Sequence, residues 1–275
     1  MSPNASTFFD VQRRDQVATI VVADSATREE LRKQGGSIHW EFAQLLNEMR
    51  TDNSVRVIVL TGAKDGEFWV PPLAAVRDAA HSRAHRTNTA SLWRTFTGVT
   101  IAHQALAEIE KPVVARVNGD AVGTGASVLF NCDLSVAVED AVIADHHMSM
   151  GDLPKWSTNF GMVPGDGGLA LAPLHMPPMR MKEFLMLAKP YTAREFADQG
   201  IINYAVPREQ LDAKVDELVS RLLARSSYAL AWTKRVANRQ AVAHMNMTAD
   251  AASAYELVTF LTHELLDEGQ KLTLE

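Results

Sequence analysis

The sequence predicts an α/β fold in which a mostly parallel sheet is covered by helices on both faces. Short, almost wholly apolar runs occur at residues 17–22, 55–60, 112–117 and 134–138. Segments with apolar residues at helical spacing lie between them. Strands of this composition that alternate with helices are typical of a sheet buried on both sides.

The helices between these strands are indicated by their periodicity. Residues 28–50 carry charges and apolar residues at helical spacing, which predicts a helix between the first two strands. Residues 90–109 predict a second helix, because Leu92, Phe96, Val99, Leu106 and Ile109 suit one face. A glycine-opened segment ending at Cys132-Asp133 precedes the fourth strand.

After about residue 206 the pattern changes to helices alone. Helical patterns occupy residues 209–224, 228–240 and 248–266, with no strand candidate among them. We therefore expect a core over residues 1–205 and a helical C-terminal region over residues 206–275. The apolar faces of that region are filled either from within or by another subunit. Residues 71–89, rich in Ala, Arg and His, are a candidate flap.

Composition excludes several classes of protein. Hydrophobic residues make up 47% of the 275 residues, which is enough for a full core and excludes disorder. The net charge is −6, with no basic stripe, so we expect no nucleic-acid partner. The single Cys132 forbids an internal disulfide, and no apolar run is long enough for a membrane span. We expect a cytoplasmic protein without a membrane partner, a cofactor or a metal site.

Several motifs follow one another in order over residues 17–240. They are Val57-Ile58-Val59-Leu60-Thr61-Gly62, Glu110-Lys111-Pro112 with Asn118-Gly119, Gly123-Thr124-Gly125, Cys132-Asp133, and Val163-Pro164-Gly165-Asp166-Gly167. This combination resembles the crotonase (enoyl-CoA hydratase/isomerase) superfamily. The resemblance implies stacked ββα turns that form a spiral, and homotrimers or dimers of trimers assembled through the C-terminal helices.

The resemblance also implies an oxyanion hole that stabilises an enolate. Aligned on the motifs, its two donors are the backbone N–H groups of Val70 and Thr124. The physical chemistry agrees, because glycines allow close backbone approach and a helix N-terminus offers unpaired N–H donors to an anion.

The chain departs from the hydratases of this superfamily at their two glutamates. The first position is Ser127 and the second falls at about His147. Serine alone is no general base near neutral pH, so hydration has no evident acid and base. In addition, Pro71 and Pro72 remove two N–H donors from the loop that lies along CoA in CoA-using members, which argues against CoA binding.

The closest resemblance within the superfamily is to the 6-oxocamphor hydrolase type of β-diketone hydrolase, which does not use CoA. That branch pairs the aspartate of the Val-Pro-Gly-Asp-Gly turn, here Asp166, with a histidine, here His146 or His147. Its C-terminal glutamate corresponds to Glu256, and an active-site histidine to His39. A further histidine of the branch, near the glycine-rich helix start, is absent, and about ten extra residues at 149–158 leave the choice between His146 and His147 open.

This resemblance implies retro-Claisen hydrolysis of a small cyclic β-diketone. Asp166 would orient the catalytic histidine, which would take a proton from water. The enolate would lie against Val70 and Thr124. Glu256 would position water or a carbonyl, and His39 would hydrogen-bond the second carbonyl. Expected pocket walls are Trp40, Trp69 and Trp156.

Two alternatives stay open from the sequence. The chief one is a hydratase or isomerase that acts on an acyl-CoA thioester, with Asp166 as its single base. The other is a non-catalytic binding protein that retains the fold, since fold does not fix function.

Overall fold

A computed structural model describes residues 7–73, 76, 87–151, 153, 155–158 and 161–262. Most of the candidate flap at residues 71–89 lies outside this described part, as do Asp152 and Pro154 of the 149–158 segment and the end of the last predicted helix.

The larger sheet contains the predicted apolar strands. Its six strands lie in the order β1-β2-β3-β5-β7-β10. All neighbours are parallel except β1 and β2. The strands are β1 (Phe9–Arg14), β2 (Val17–Val22), β3 (Val57–Gly62), β5 (Val113–Val117), β7 (Leu134–Val138) and β10 (Tyr204–Val206). The fold class is therefore the predicted one, a mixed α/β core followed by helices.

A second, four-stranded sheet lies in the order β4-β6-β8-β9. Its strands have two to four residues each: β4 (Gly66–Trp69), β6 (Gly119–Val122), β8 (Val142–Ala144) and β9 (Tyr191–Thr192). Strands β4, β6 and β8 each follow a strand of the larger sheet directly, so the chain makes repeated turns of two strands and a helix. The carboxyl ends of β4 and β8 lead into the candidate site.

The helices cover these sheets. They are α1 (Ser25–Lys33), α2 (Ile38–Thr51), α3 (Thr89–Glu108), α4 (Thr124–Asn131), α5 (Gly168–His175), α6 (Pro178–Met186), α7 (Ala193–Asp198), α8 (Leu211–Leu223), α9 (Ser227–Ala237) and α10 (Arg239–Thr262). The single helix expected over residues 28–50 is divided into α1 and α2, because the chain turns at Gly35 with a φ of +90°.

The C-terminal helices are tied to the core by packing and by one buried ion pair. The Lys234 ammonium on α9 lies 2.7 Å from the carboxylate of Asp133, which precedes β7. Helix α10 packs against α3 and α5, which brings its last turns to the candidate site. Among the described residues, none of the helices has both the length and the apolar composition that a membrane crossing requires.

The core centres on strand β3, so its side chains carry much of the stability. Leu60 is fully buried, whereas Leu187 is 65% exposed. We expect Leu60→Ala to lower the free energy of unfolding by about 2–5 kcal/mol, because it leaves a cavity, and Leu187→Ala to change it by less than about 1 kcal/mol. Urea unfolding followed by circular dichroism measures both. Equal losses in the two variants would contradict this assignment of the core.

Candidate active site

A cavity opens between the α1–α2 connection, the end of β4, the start of α4 and the helix α10. All five residues that the sequence predicts as catalytic line it: His39, His146, His147, Asp166 and Glu256. These residues come from segments that are distant in sequence. The tertiary fold therefore assembles the polar groups that the resemblance implied.

His147 is held at both ring nitrogens by carboxylates. Its Nδ1 lies 2.9 Å from Oδ1 of Asp145, whose same oxygen accepts the backbone N–H of His147 at 3.0 Å. Its Nε2 lies 3.5 Å from Oε1 of Glu256 and 3.7 Å from Oδ2 of Asp166. The residue that orients the ring is thus Asp145, and the expectation that Asp166 does so is corrected. Asp145 takes this role because it stands two residues before the histidine.

The charges around His147 control its protonation. Burial alone would lower the pKa of His147, but the carboxylates of Asp166 and Asp145 outweigh it and hold this pKa well above its usual value. Burial, together with repulsion from Asp145 and Glu256, raises the pKa of Asp166 to about 7, although His147 opposes this. The cavity therefore contains a cationic imidazole beside a carboxyl group that titrates near neutral pH.

Asp166 is fixed by residues on two helices. Its Oδ2 accepts a hydrogen bond of 2.8 Å from the Thr124 hydroxyl, and its Oδ1 has no hydrogen-bond partner in the described part of the chain. The backbone carbonyl of Asp166 lies 2.9 Å from Nε2 of His103, a buried residue of α3. The sequence did not single out His103. The one signal in the sequence was a histidine on a helix face that is otherwise apolar and buried. Such a position predicts burial but not a role in a functional site.

The two expected oxyanion donors lie at adjoining parts of the backbone. Thr124 is the first residue of α4, so its N–H has no carbonyl partner within the helix. A Cβ on Gly125 would lie 1.9 Å from the carbonyl oxygen of Trp69, so only glycine permits this close approach. Val70 follows Trp69 directly. The packing of β4 on α4 thus places Val70 near the start of α4, and of the two donors Thr124 is the one that lines the cavity.

His146 and His39 are both neutral imidazoles. Burial, with repulsion from His147, lowers the pKa of His146 to about 3. Burial, with repulsion from His103 and Arg32, lowers the pKa of His39 to about 3. Between the two histidines left open by the sequence, His147 is the one that contacts the carboxylates. His146 stacks beside it, with ring centroids 4.3 Å apart.

The expected tryptophan walls are only partly correct. Trp69 lines the cavity, together with Pro71 and Pro72. Trp40 does not, because its ring packs against Trp93 at a centroid distance of 5.1 Å. Trp156 does not either, because it packs against a separate apolar cluster around Val70.

One cluster has the composition of a metal site. Asp145, His146 and His147 offer ligand atoms that lie within 4.8 Å of one another. The hydrogen bond between Asp145 and His147 already uses one oxygen and one nitrogen of this set. We therefore interpret the cluster as the structure that holds His147 in place.

Comparison with known proteins identifies the family. The enoyl-CoA hydratase/isomerase family model matches residues 36–272. The chain belongs to the enoyl-CoA hydratase/isomerase family. This membership confirms the superfamily that the motifs indicated.

Similar proteins carry different functional names. Carnitinyl-CoA dehydratase from Escherichia coli strain K12 is 28% identical over 200 residues, which are 72% of this chain and 69% of that protein. The crystal structure of an enoyl-CoA hydratase/isomerase from Mycobacterium paratuberculosis matches with a TM-score of 0.78 and 24% identity, covering 95% of this chain and 96% of that chain. A β-diketone hydrolase from the cyanobacterium Anabaena sp. PCC 7120, bound to (S)-3-oxocyclohexyl acetic acid, matches with a TM-score of 0.75 and 22% identity, covering 92% and 94%. At these identities the two structures support the fold alone.

Removal of the Asp145 charge is expected to lower the pKa of His147. Asp145→Asn deletes the nearest anion at Nδ1, so the imidazolium loses stabilisation and releases its proton at a lower pH than in the parent. The nitrogen chemical shifts of the His147 ring, followed by NMR through a pH titration, measure this change. His147→Gln assigns the signal, and the exposed Asp216→Asn is the matched control. An unchanged midpoint in Asp145→Asn would contradict the proposed role of Asp145.

Proposed function

We propose that this member of the family is a hydrolase of carbon–carbon bonds that cleaves a cyclic β-diketone by a retro-Claisen route. The observation that carries the proposal is the replacement of the two hydratase glutamates. A buried imidazole, His147, stands near the second position, and the turn that carries Asp166 covers the first position, Ser127.

The packing at Ser127 supports this view. Ser127 is buried, and a Cβ on Gly167 would lie 2.8 Å from its Cβ atom. The turn that carries Asp166 is therefore in contact with Ser127, the position at which the hydratases carry their first glutamate. Asp166 itself offers a carboxyl group in the same cavity. The cavity therefore has the carboxyl group of Asp166, on a different segment, in place of a glutamate at position 127.

The protonation states suggest roles for the two groups. Asp166, whose pKa is raised to about 7, accepts a proton from water as the water oxygen attacks one carbonyl carbon. The oxyanion lies against the N–H groups of Val70 and Thr124. The bond between that carbon and the α-carbon then breaks, and its electron pair forms the enolate. His147 protonates the α-carbon and recovers the proton from Asp166, which leaves a single keto acid because the cleaved bond lay within the ring.

His39 and Glu256 complete the proposal. A neutral imidazole such as His39 donates a hydrogen bond to the second carbonyl without introducing a charge. The carboxylate of Glu256 is half-buried on α10 and faces Nε2 of His147, so it supports the imidazolium and orients water. Trp69, Pro71 and Pro72 supply apolar surface for a hydrocarbon ring.

A second candidate is a hydro-lyase or isomerase that acts on an acyl-CoA thioester. The names of the sequence relatives favour this candidate over the carbon–carbon hydrolase, since they are called carnitinyl-CoA dehydratases. Such an enzyme would use Asp166 and His147 as acid and base, with the same oxyanion hole. The geometry favours the first candidate, because the two prolines after Val70 supply no N–H donors to CoA and neither glutamate is present.

The test is a parallel turnover screen of the purified protein. Its substrates are 2,2-dimethylcyclohexane-1,3-dione, bicyclic β-diketones, crotonyl-CoA and carnitinyl-CoA. We expect loss of diketone and formation of a keto acid, and a decrease in kcat of at least about a hundredfold in Asp166→Asn. Asp216→Asn changes the same side chain at an exposed position and should retain full activity. Turnover of a CoA thioester without diketone cleavage would establish the second candidate instead.

The pH profile of kcat/KM gives a further test of the roles. We expect activity to rise as the pH increases through about 7, because Asp166 must lose its proton to act as a base. Activity should fall again at higher pH, when His147 loses the proton that it delivers to carbon. A profile that falls as the pH rises through 7 would show that Asp166 acts as an acid.

We also propose that the protein forms a homotrimer or a dimer of trimers. Tyr228, Trp232 and Val236 lie on one stripe of α9 and are 74%, 65% and 70% exposed in the single chain. We expect Trp232→Glu to shift the assembly towards the monomer in sedimentation velocity experiments, because a charge would be buried at the contact. A monomeric parent protein would overturn this proposal.

A further inference from the structure

Helix α1 directs two arginines into the cavity. Arg28 and Arg32 are four residues apart and therefore share one face of the helix, and both line the cavity. Lys33 follows on another face, where it pairs with Glu29 at 2.9 Å and remains half exposed. Of these three basic residues of α1, Arg28 and Arg32 therefore face the cavity and Lys33 faces away from it.

The two inner arginines differ in how their charge is balanced. Arg28 is buried, and its guanidinium lies 3.0 Å from the carboxylate of Glu67. Arg32 is half-buried and has no ion pair or hydrogen bond of its side chain within the described ranges. Burial lowers the pKa of Arg32, and the attraction of Glu256, more than 4 Å away, opposes this effect. The guanidinium remains charged because its unperturbed pKa is far above neutrality.

Arg32 is a half-buried guanidinium that faces the cavity and has no charged or hydrogen-bonded partner in the described part of the chain. Removing a charge from water is unfavourable unless an opposite charge or hydrogen-bond acceptors replace the water. Arg28 obtains this compensation from Glu67, whereas Arg32 faces open cavity space. A bound ligand is the partner that would complete the site. A planar guanidinium fork matches a carboxylate or a phosphate, to which it donates two parallel hydrogen bonds.

We infer that the substrate carries a carboxylate in addition to its reacting diketone, and that Arg32 binds this carboxylate. This inference rests on the proposed function, because the ligand occupies the same cavity as His147. A carboxylate fits better than a CoA phosphate because Glu256 and Asp166 share the cavity with Arg32. These two acidic groups would repel the larger negative charge of a phosphate more strongly than that of a carboxylate. The phosphates of CoA are separated from its thioester by the long pantetheine arm, so they would lie away from the reacting carbonyl.

The position of Arg32 also implies an orientation for the substrate. Arg32 lies on α1, whereas the acid–base groups His147 and Asp166 lie in the segment after β8 and in the turn before α5. A ring held at its carboxylate by Arg32 would present a carbonyl to His147 and Asp166. Arg32 is thus a specificity residue that takes no part in the proton transfers.

Calorimetric binding distinguishes this role from a structural one. The ligands are 2,2-dimethylcyclohexane-1,3-dione with a carboxylate at C5, the methyl ester of that compound, CoA and dephospho-CoA. All binding measurements use the Asp166→Asn variant, in which the diketone is not consumed. Three further proteins combine this change with Arg32→Gln, Arg32→Lys or Lys33→Gln. The Lys33→Gln variant removes the same charge from the outer face of α1.

We expect the carboxylate to bind about tenfold to a hundredfold more tightly than the ester, the difference that a charged hydrogen-bonded pair gives. Arg32→Gln should abolish this difference, Arg32→Lys should retain part of it, and Lys33→Gln should retain all of it. Circular dichroism and an unchanged affinity for the ester confirm that the variants are folded with an intact cavity.

Other outcomes would distinguish failure of the role proposed for Arg32 from failure of the proposed diketone hydrolysis. Equal binding of carboxylate and ester, unaffected by Arg32→Gln, would overturn the role of Arg32 and leave diketone hydrolysis standing. Binding of CoA that depends on Arg32 and is weaker for dephospho-CoA would assign the arginine to a phosphate, which overturns the inference. Binding of the carboxylate without turnover by the parent protein would support Arg32 and overturn the proposed diketone hydrolysis.

Discussion

The buried imidazolium of His147 is the interaction on which the site depends. A charge in this position is stable only because carboxylates surround it, and those carboxylates would repel one another without it. Asp145 is local in sequence, whereas Asp166 precedes α5 and Glu256 lies on α10. One side chain therefore links the end of a core strand, a turn and the C-terminal helix. The same balance of charges places a protonated imidazole beside a carboxylate that is a stronger base than an ordinary aspartate.

The backbone makes this arrangement possible by close packing in two places. The start of α4 approaches Trp69 closely enough that residue 125 must be glycine, and this contact places β4 against the helix start that carries Thr124. The turn that carries Asp166 lies against Ser127, and the ring of His103 contacts the backbone carbonyl of Asp166. Donors and acid–base groups thus approach the cavity from fixed directions, which is the condition for stabilising charge as it develops.

The sequence predicts the apolar strands and the site residues that lie in motifs. It does not predict the edge strand, the shortest strands or the site residues that are brought together only by the tertiary fold. Strands β2, β3, β5 and β7 are apolar runs and were predicted, but β1 is an edge strand with polar residues at alternate positions, such as Asp10 and Gln12. The strands of the second sheet are too short to show a period. Asp166 and His147 were found through motifs. Arg32 and His103 were missed because a basic residue at a helix end and a histidine within an apolar helix face have no distinctive pattern.

The family and the proposed reaction are compatible because both chemistries pass through an enolate. Hydration of an enoyl thioester and cleavage of a β-diketone each place negative charge on a carbonyl oxygen, so the N–H groups proposed as oxyanion donors, those of Val70 and Thr124, would suit either reaction. The difference lies in how water is delivered and where the proton returns. A pair of glutamates can add water across a double bond, whereas a carboxyl group with a pKa of about 7 beside a cationic imidazole can activate water at one carbon and protonate another. On the proposed function, this chain would differ from the hydratases in its acid–base groups and would share with them the proposed oxyanion donors.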